Sequence, residues 1–228
     1  VVVVDQSGSV ESWVKVLRAS ISNTLYELRP QDYVAVVLFN KLVETILQPT
    51  LVKTLTQPKL EALLASIKPR STTNLIGALE EAHAVCAAAR HLVSPPFQRI
   101  LLITDGQHNY PDPRDPIAQL KRVKDIGTVT LLQVIVGDVN PTFFSHLQSL
   151  APGRGHEVDK VEELSDTLSR LLEPERHRLA FGITLQGVPL RHAVLTVEDQ
   201  NLILPRVPFA ASGTITVGGT WADRKSTR

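Results

Sequence analysis

The sequence predicts a doubly wound α/β domain, a mostly parallel sheet with helices on both faces, followed by a small β-rich segment. Three observations carry that expectation. Solid apolar runs alternate with stretches whose apolar residues recur every three or four positions, as expected of strands buried on both faces between amphipathic helices. At Pro174 the pattern changes to period two. The 228 residues, 43% of them hydrophobic, supply enough apolar surface for a sizeable core and exclude a disordered chain.

The elements follow in order. Residues 1–4 are valines ending at Asp5, a buried strand whose beginning reads as missing. Val10, Val14, Leu17, Ile21, Leu25 and Leu28 form one apolar stripe, predicting a single helix that stops before Pro30. Residues 33–39 and 42–47 are strand-like and separated by Asn40 and Lys41, a hairpin expected at one edge of the sheet. A helix is expected over 59–67 and, after the polar connector 69–73, a second whose face carries Leu75, Leu79, Ala82, Cys86 and Ala89.

Beyond Pro95 and Pro96, residues 99–104 read as a buried strand running into Asp105, Gly106 and a proline-rich loop through Pro116. A helix over 117–126, a strand over 128–136, a helix from Asn140–Pro141 to Leu150, a short strand at 157–158 and a helix over 161–172 complete a domain assigned to 1–173. Residues 179–185, 193–197 and 214–217 read as strands, punctuated by Gly187 to Pro189 and by Gly218–Gly219. So few strands are marginal alone, so 177–221 is expected to be a partial sandwich completed by sequence upstream of residue 1, with 222–228 a solvated tail.

Charge and cysteine content narrow the function. The 24 basic and 23 acidic residues nearly cancel, so no electrostatic footprint points to nucleic acid. No apolar run approaches the roughly 20 residues that span a bilayer, so no membrane partner is expected within this chain. Cys86 stands alone, which fits a reducing, cytoplasmic compartment slightly better than an extracytoplasmic protein that does without bridges. The absence of Met reads as a piece of a longer translation product, in which signal or anchoring segments could precede or follow the given residues, leaving localisation nearly unreadable.

Ligands of open α/β sheets bind beyond the carboxyl ends of the strands. Three polar groups are expected there: Asp5-Gln6-Ser7-Gly8-Ser9, Ser71-Thr72-Thr73-Asn74 and Thr104-Asp105-Gly106. Their carboxylates and hydroxyls are hard oxygen donors of the kind Mg²⁺ takes. Each also has a plainer reading: Ser9 and Thr73 precede helices and would serve as N-caps, Asp105 before Gly would shape a turn, and Ser7 would be satisfied by backbone.

The constellation resembles the von Willebrand factor type A domain, whose metal-ion-dependent adhesion site combines a D-x-S-x-S motif with a distant Thr and a distant Asp. Asp5, Ser7, Ser9, Thr73 and Asp105 match it in order, over roughly residues 1–172. The wording around residues 28–34, 71–74, 100–106 and 136–138 is similar to the branch that includes inter-α-trypsin-inhibitor heavy-chain-like and many bacterial proteins, in which a β-rich segment commonly follows the last helix. The resemblance implies a Rossmann-like sheet and an intact site for Mg²⁺ or Mn²⁺, with Ca²⁺ as an alternative. Ser7 and Ser9 would bind directly, Thr73 directly or through water, and Asp5 and Asp105 partly through water. Thr73 is chosen over Thr72 because it precedes Asn74, as in the family's Thr-Asn pair. The implied partner is a protein offering an Asp or Glu carboxylate, which makes the domain an adhesion or scaffolding module rather than an enzyme.

Gln6, Gln107, His108, Asn109 and Tyr110 are expected to form the rim that selects partners, or else an ordinary polar loop. His83 and Cys86, one turn apart, would chelate a soft metal, but with no second such pair core packing is the better reading. A Mg²⁺-dependent phosphohydrolase of the haloacid-dehalogenase type is one alternative, yet its second Asp is replaced here by Ser7. Lipase-like and phosphate-loop motifs are absent. A structural module with a vestigial metal site is the other alternative.

Overall fold

The computed structural model describes residues 1–92, 98–105, 109, 130–136, 142, 144, 145, 147, 153–176, 178–185, 188–189, 195–196 and 217–221. Strands β1 (Val2–Asp5), β2 (Tyr33–Phe39), β3 (Val43–Leu51), β4 (Arg99–Thr104), β5 (Thr130–Val136) and β6 (Gly153–Val158) form one sheet in the order β3-β2-β1-β4-β5-β6. Every neighbouring pair is parallel except β2 with β3, the hairpin at one edge. The expected doubly wound α/β sheet is therefore observed. Between β1 and β4 the chain order reverses direction across the sheet, the position where connections diverge and leave a crevice.

Four helices are described in full: α1 (Val14–Glu27), α2 (Gln57–Ala65), α3 (Leu75–Ala88) and α4 (Leu164–Arg176). Alternate strand residues point to opposite faces. Val3, Val37, Phe39, Ile100, Leu102, Leu131 and Ile135 join Leu75, Leu79, Ala82 and Cys86 of α3, with Phe144 and Leu147, in one buried cluster. The intervening residues Val4, Val36, Leu38, Leu101, Ile103 and Val134 are buried too, as are Leu17 and Ile21 of α1 and Leu164 and Leu168 of α4. Both faces are covered, which is why β1, β2 and β4 read as unbroken apolar runs.

The structure departs from the sequence expectations at several element ends. The first helix opens as a 3-10 segment, Gly8–Trp13, and its α-helical part ends at Glu27, leaving Leu28 outside. The tight opening turn follows from the Val10 N–H to Ser7 carbonyl bond at 3.2 Å and the Gly8 N–H bond to Ser71 O at 3.1 Å. β3 runs on to Leu51 through Pro49, which an edge strand tolerates because its outer N–H positions need no partner. α2 begins at Gln57 with Pro58 in its first turn.

β6 is six residues long rather than two, because full pairing with β5 overrides the low strand preference of Gly153 and Gly155. α4 continues through Pro174 to Arg176, past its expected end at 172. The expected helix over 117–126 and most of that over 140–150 lie outside the described residues, although residues 142, 144, 145 and 147 are helical.

The chain divides into two units, Val1–Leu171 and Leu172–Arg228. In the second, β7 (Arg178–Leu185) pairs antiparallel with β8 (Val188–Pro189), β9 (Leu195–Thr196) and β10 (Val217–Trp221). Gly218 and Gly219, expected to punctuate, lie inside β10, where the register shifts between Gly218 and Thr220. An irregularity of this kind is where a strand accepts glycine.

Candidate metal centre

Parallel pairing of β1 with β4 sets Val4 beside Ile103, so Asp5 and Thr104 end their strands side by side and Asp105 follows immediately. Asp5 is fully buried. Its Oδ2 accepts the Thr104 hydroxyl at 2.6 Å and its Oδ1 accepts the Ser7 backbone N–H at 2.7 Å. The carboxylate is thereby oriented from both sides while it shapes the turn that carries the two serines. The Ser7 and Ser9 hydroxyls lie 3.1 Å apart, Ser7 buried and Ser9 exposed.

The second stretch, 68–73, is bonded to the first. Arg70 N–H donates to the Gln6 carbonyl at 2.8 Å, Lys68 N–H to Gln6 Oε1 at 3.2 Å, and Gly8 N–H to Ser71 O at 3.1 Å. Ser71 has a φ of 68°, a left-handed conformation uncommon for a residue with a side chain. Thr73 is 2% exposed whereas Thr72 is exposed. The Thr73 N–H donates to Asn109 Oδ1 at 2.6 Å, and the Asn109 N–H donates to the Thr73 carbonyl at 3.1 Å. All three polar stretches thus meet at the carboxyl end of β1 and β4.

Capping does not account for these hydroxyls. Ser7 occupies the position before the 3-10 segment without a side-chain capping bond, and Ser9 lies within that segment. The cap of α3 is Asn74, whose side chain accepts the Gly77 N–H at 3.1 Å.

Electrostatics set this corner apart. Burial, and then the like charge of Asp105, push the Asp5 carboxyl up from 3.8 to about 6, against the lowering effect of the Thr104 and Ser7 hydrogen bonds. Asp105 Oδ1 is buried and has no hydrogen-bond partner among the described residues. Two carboxylates held close, one with an orphaned oxygen, beside a pair of hydroxyls, form a concentration of negative charge and oxygen lone pairs that a hard divalent cation would satisfy. The residues present fit such an ion.

Gln6, expected on the rim, is only 6% exposed. Its backbone N–H bonds Phe39 O at 2.8 Å and its other polar groups tie down 68–70, so it joins loops rather than facing a partner. Asn109 is exposed but committed to Thr73, while Gln107, His108 and Tyr110 lie outside the described residues. His83 is half-buried and Cys86 buried, so the two do not share the fully buried stripe. Among the described residues no group of three or more His, Cys, Asp and Glu side chains could hold a metal, and no helix is long and apolar enough to cross a membrane.

Two contributors were not singled out from the sequence. Thr104 stands next to Asp105 at the end of the strand expected over 99–104, and only the pairing of β1 with β4 brings its hydroxyl to Asp5. Asn40 read as a turn residue, yet it is buried. Its Oδ1 accepts the Leu42 N–H at 2.8 Å and its carbonyl accepts the Asn74 N–H at 2.8 Å, fixing the start of α3.

Comparisons with known proteins agree with this architecture. No curated protein matches the chain. Among solved structures, a von Willebrand factor type A protein from Catenulispora acidiphila is similar at a TM-score of 0.67 and 16% identity, covering 96% of this chain and 54% of that one. Proximal thread matrix protein 1 from the mussel byssus, with a zinc-occupied MIDAS motif, is similar at 0.60 and 18% identity, covering 79% and 48%. The SpRpn10 VWA domain is similar at 0.56 and 12% identity, covering 74% and 92%. The chain thus spans about half the length of the first two, and at these identities the likeness speaks for the fold. A family model described as the von Willebrand factor type A domain matches residues 1–170, the span that builds the six-stranded sheet and its strand-end carboxylates, and the chain belongs to that family.

Proposed function

We propose that this domain binds a protein partner through a divalent cation held by Ser7, Ser9 and Thr73, with Asp5 and Asp105 in support. Domains of the family are generally metal-dependent protein-interaction modules and mostly not enzymes. The observation that carries the reading is the buried, unpartnered Asp105 Oδ1 beside Asp5, a carboxylate whose ordinary ionisation is opposed by its surroundings. The Thr104 and Ser7 hydrogen bonds offset that opposition only in part, and a cation would supply the rest.

Each residue has a role in that reading. Asp5 holds the Ser7 backbone and the Thr104 hydroxyl, so it organises the donor loop whether or not it touches the ion. Ser7 and Ser9 present neighbouring hydroxyl oxygens. Thr73, the buried member of the Thr72–Thr73 pair, supplies the third. A bound ion would supply an electrophilic position open to an anionic oxygen, because neutral hydroxyls leave much of its charge uncompensated. The ligand that matches is an Asp or Glu side chain on another protein. The mussel neighbour's zinc supports a divalent ion here, and the all-oxygen donor set favours Mg²⁺ or Mn²⁺ over a softer metal.

Calorimetric titration with Mg²⁺ and Mn²⁺, followed by partner capture in Mg²⁺ and in chelator, tests the proposal. Wild-type protein should bind one ion, Asp5→Ala should not, and both chelator and Thr73→Ala should release the partner. Equal metal affinity in Asp5→Ala, or a partner retained equally well in chelator, would refute it.

A further inference from the structure

Thr73 precedes the cap of α3, so the helix supplies no partner for its amide. Both of its backbone polar groups go to one residue instead. Its N–H donates to Asn109 Oδ1 at 2.6 Å, and its carbonyl accepts the Asn109 N–H at 3.1 Å. Asn109 is exposed, whereas Thr73 is buried. Asn109 stands four positions after Asp105, so the paired bonds join the stretch that carries one carboxylate to the stretch that carries the third hydroxyl. Among the described residues, the other bonds onto this stretch reach residues 68, 70, 71 and 74, and those to the Thr73 backbone come from Asn109.

We infer that Asn109 is a positioning residue for the metal centre, whose side-chain oxygen holds the Thr73 peptide at the distance from Asp105 at which the Thr73 hydroxyl completes the donor set. The inference rests on the metal reading above and adds to it a residue outside the donor set. A loop residue that merely closed a turn would affect folding alone; one that positions Thr73 also affects metal affinity, and does so through the Thr73 hydroxyl.

A thermodynamic cycle separates the two. Asn109→Leu keeps the size and removes the acceptor, Asn109→Ala removes it by truncation, and Asn109→Asp keeps it. Titration with Mn²⁺ alone should show about fivefold weaker binding for the Leu and Ala variants, the scale of one net hydrogen bond, with affinity retained or raised for Asp. Melting temperatures in chelator should fall by only the few degrees that one net hydrogen bond is worth. In a Thr73→Ala background, adding Asn109→Leu should weaken binding no further. The Thr73 amide of metal-free Asn109→Leu should exchange with solvent faster than in the wild type.

Wild-type affinity in Asn109→Leu, or the same additional loss in the Thr73→Ala background, would overturn the inference while leaving the metal reading intact. Failure of the wild-type protein to bind Mn²⁺ would overturn both.

Discussion

Replacing Asp5 with Asn should make the metal-free domain more stable and the metal-loaded domain impossible to form. In the absence of metal, burial and the neighbouring Asp105 raise the Asp5 carboxyl from 3.8 to about 6. The folded protein therefore holds a proton that the unfolded chain has already released between those values. The stability that goes with the protonated carboxyl is fully present below 3.8 and is lost as pH rises through about 6. Two units at 1.36 kcal/mol each make the charged form about 3 kcal/mol less favourable at neutral pH.

Asn removes that charge while keeping an acceptor for the Ser7 N–H, and its amide donates to the Thr104 hydroxyl, which can turn to accept. For a domain of this size about 3 kcal/mol corresponds to a rise on the order of 10 °C in melting temperature. Thermal melts of both proteins in chelator at pH 7.5 and pH 4 provide the assay. The gain should be large at pH 7.5 and largely gone at pH 4. Added Mg²⁺ should stabilise the wild type by mass action and leave Asp5→Asn unmoved. A variant no more stable than the wild type in chelator at pH 7.5, or equally favoured at both pH values, would refute the electrostatic argument.

The same protonation governs metal affinity: since Asp5 must lose its proton, the apparent Mn²⁺ affinity should fall by about tenfold per unit as pH drops below about 6, and a pH-independent titration curve would contradict this. Phe39, wholly buried at the end of β2, should cost about 3–5 kcal/mol when replaced by Ala, read from urea unfolding with an unchanged m-value. Asn74→Ala should cost about 1 kcal/mol through loss of the α3 cap. Gly77→Ala should fail to show the usual gain in helix propensity, because a Cβ there would lie 2.6 Å from Asn74 Nδ2 and displace that cap.

What the sequence determined by itself follows from local pattern. β2 and β4 occupy residues 33–39 and 99–104 as expected, since a strand buried on both faces is apolar along its interior. The alternation with helices predicted the sheet type, and the polar residues just past Asp5 and Asp105 marked the end where loops gather. Tertiary structure decided the rest, because the responsible forces act between residues distant in sequence. β6 forms through its ladder with β5, against the preference of its glycines. Gln6 belongs to the interior because residues 68–70, some 60 positions on, return to take its carbonyl and side-chain oxygens. Thr104 orients Asp5 across 99 positions, and Asn109 holds Thr73 across 36. A hydroxyl or amide in a sequence shows only that it can make a hydrogen bond, and which partner it meets is fixed when the strands register and the loops at their ends are brought together.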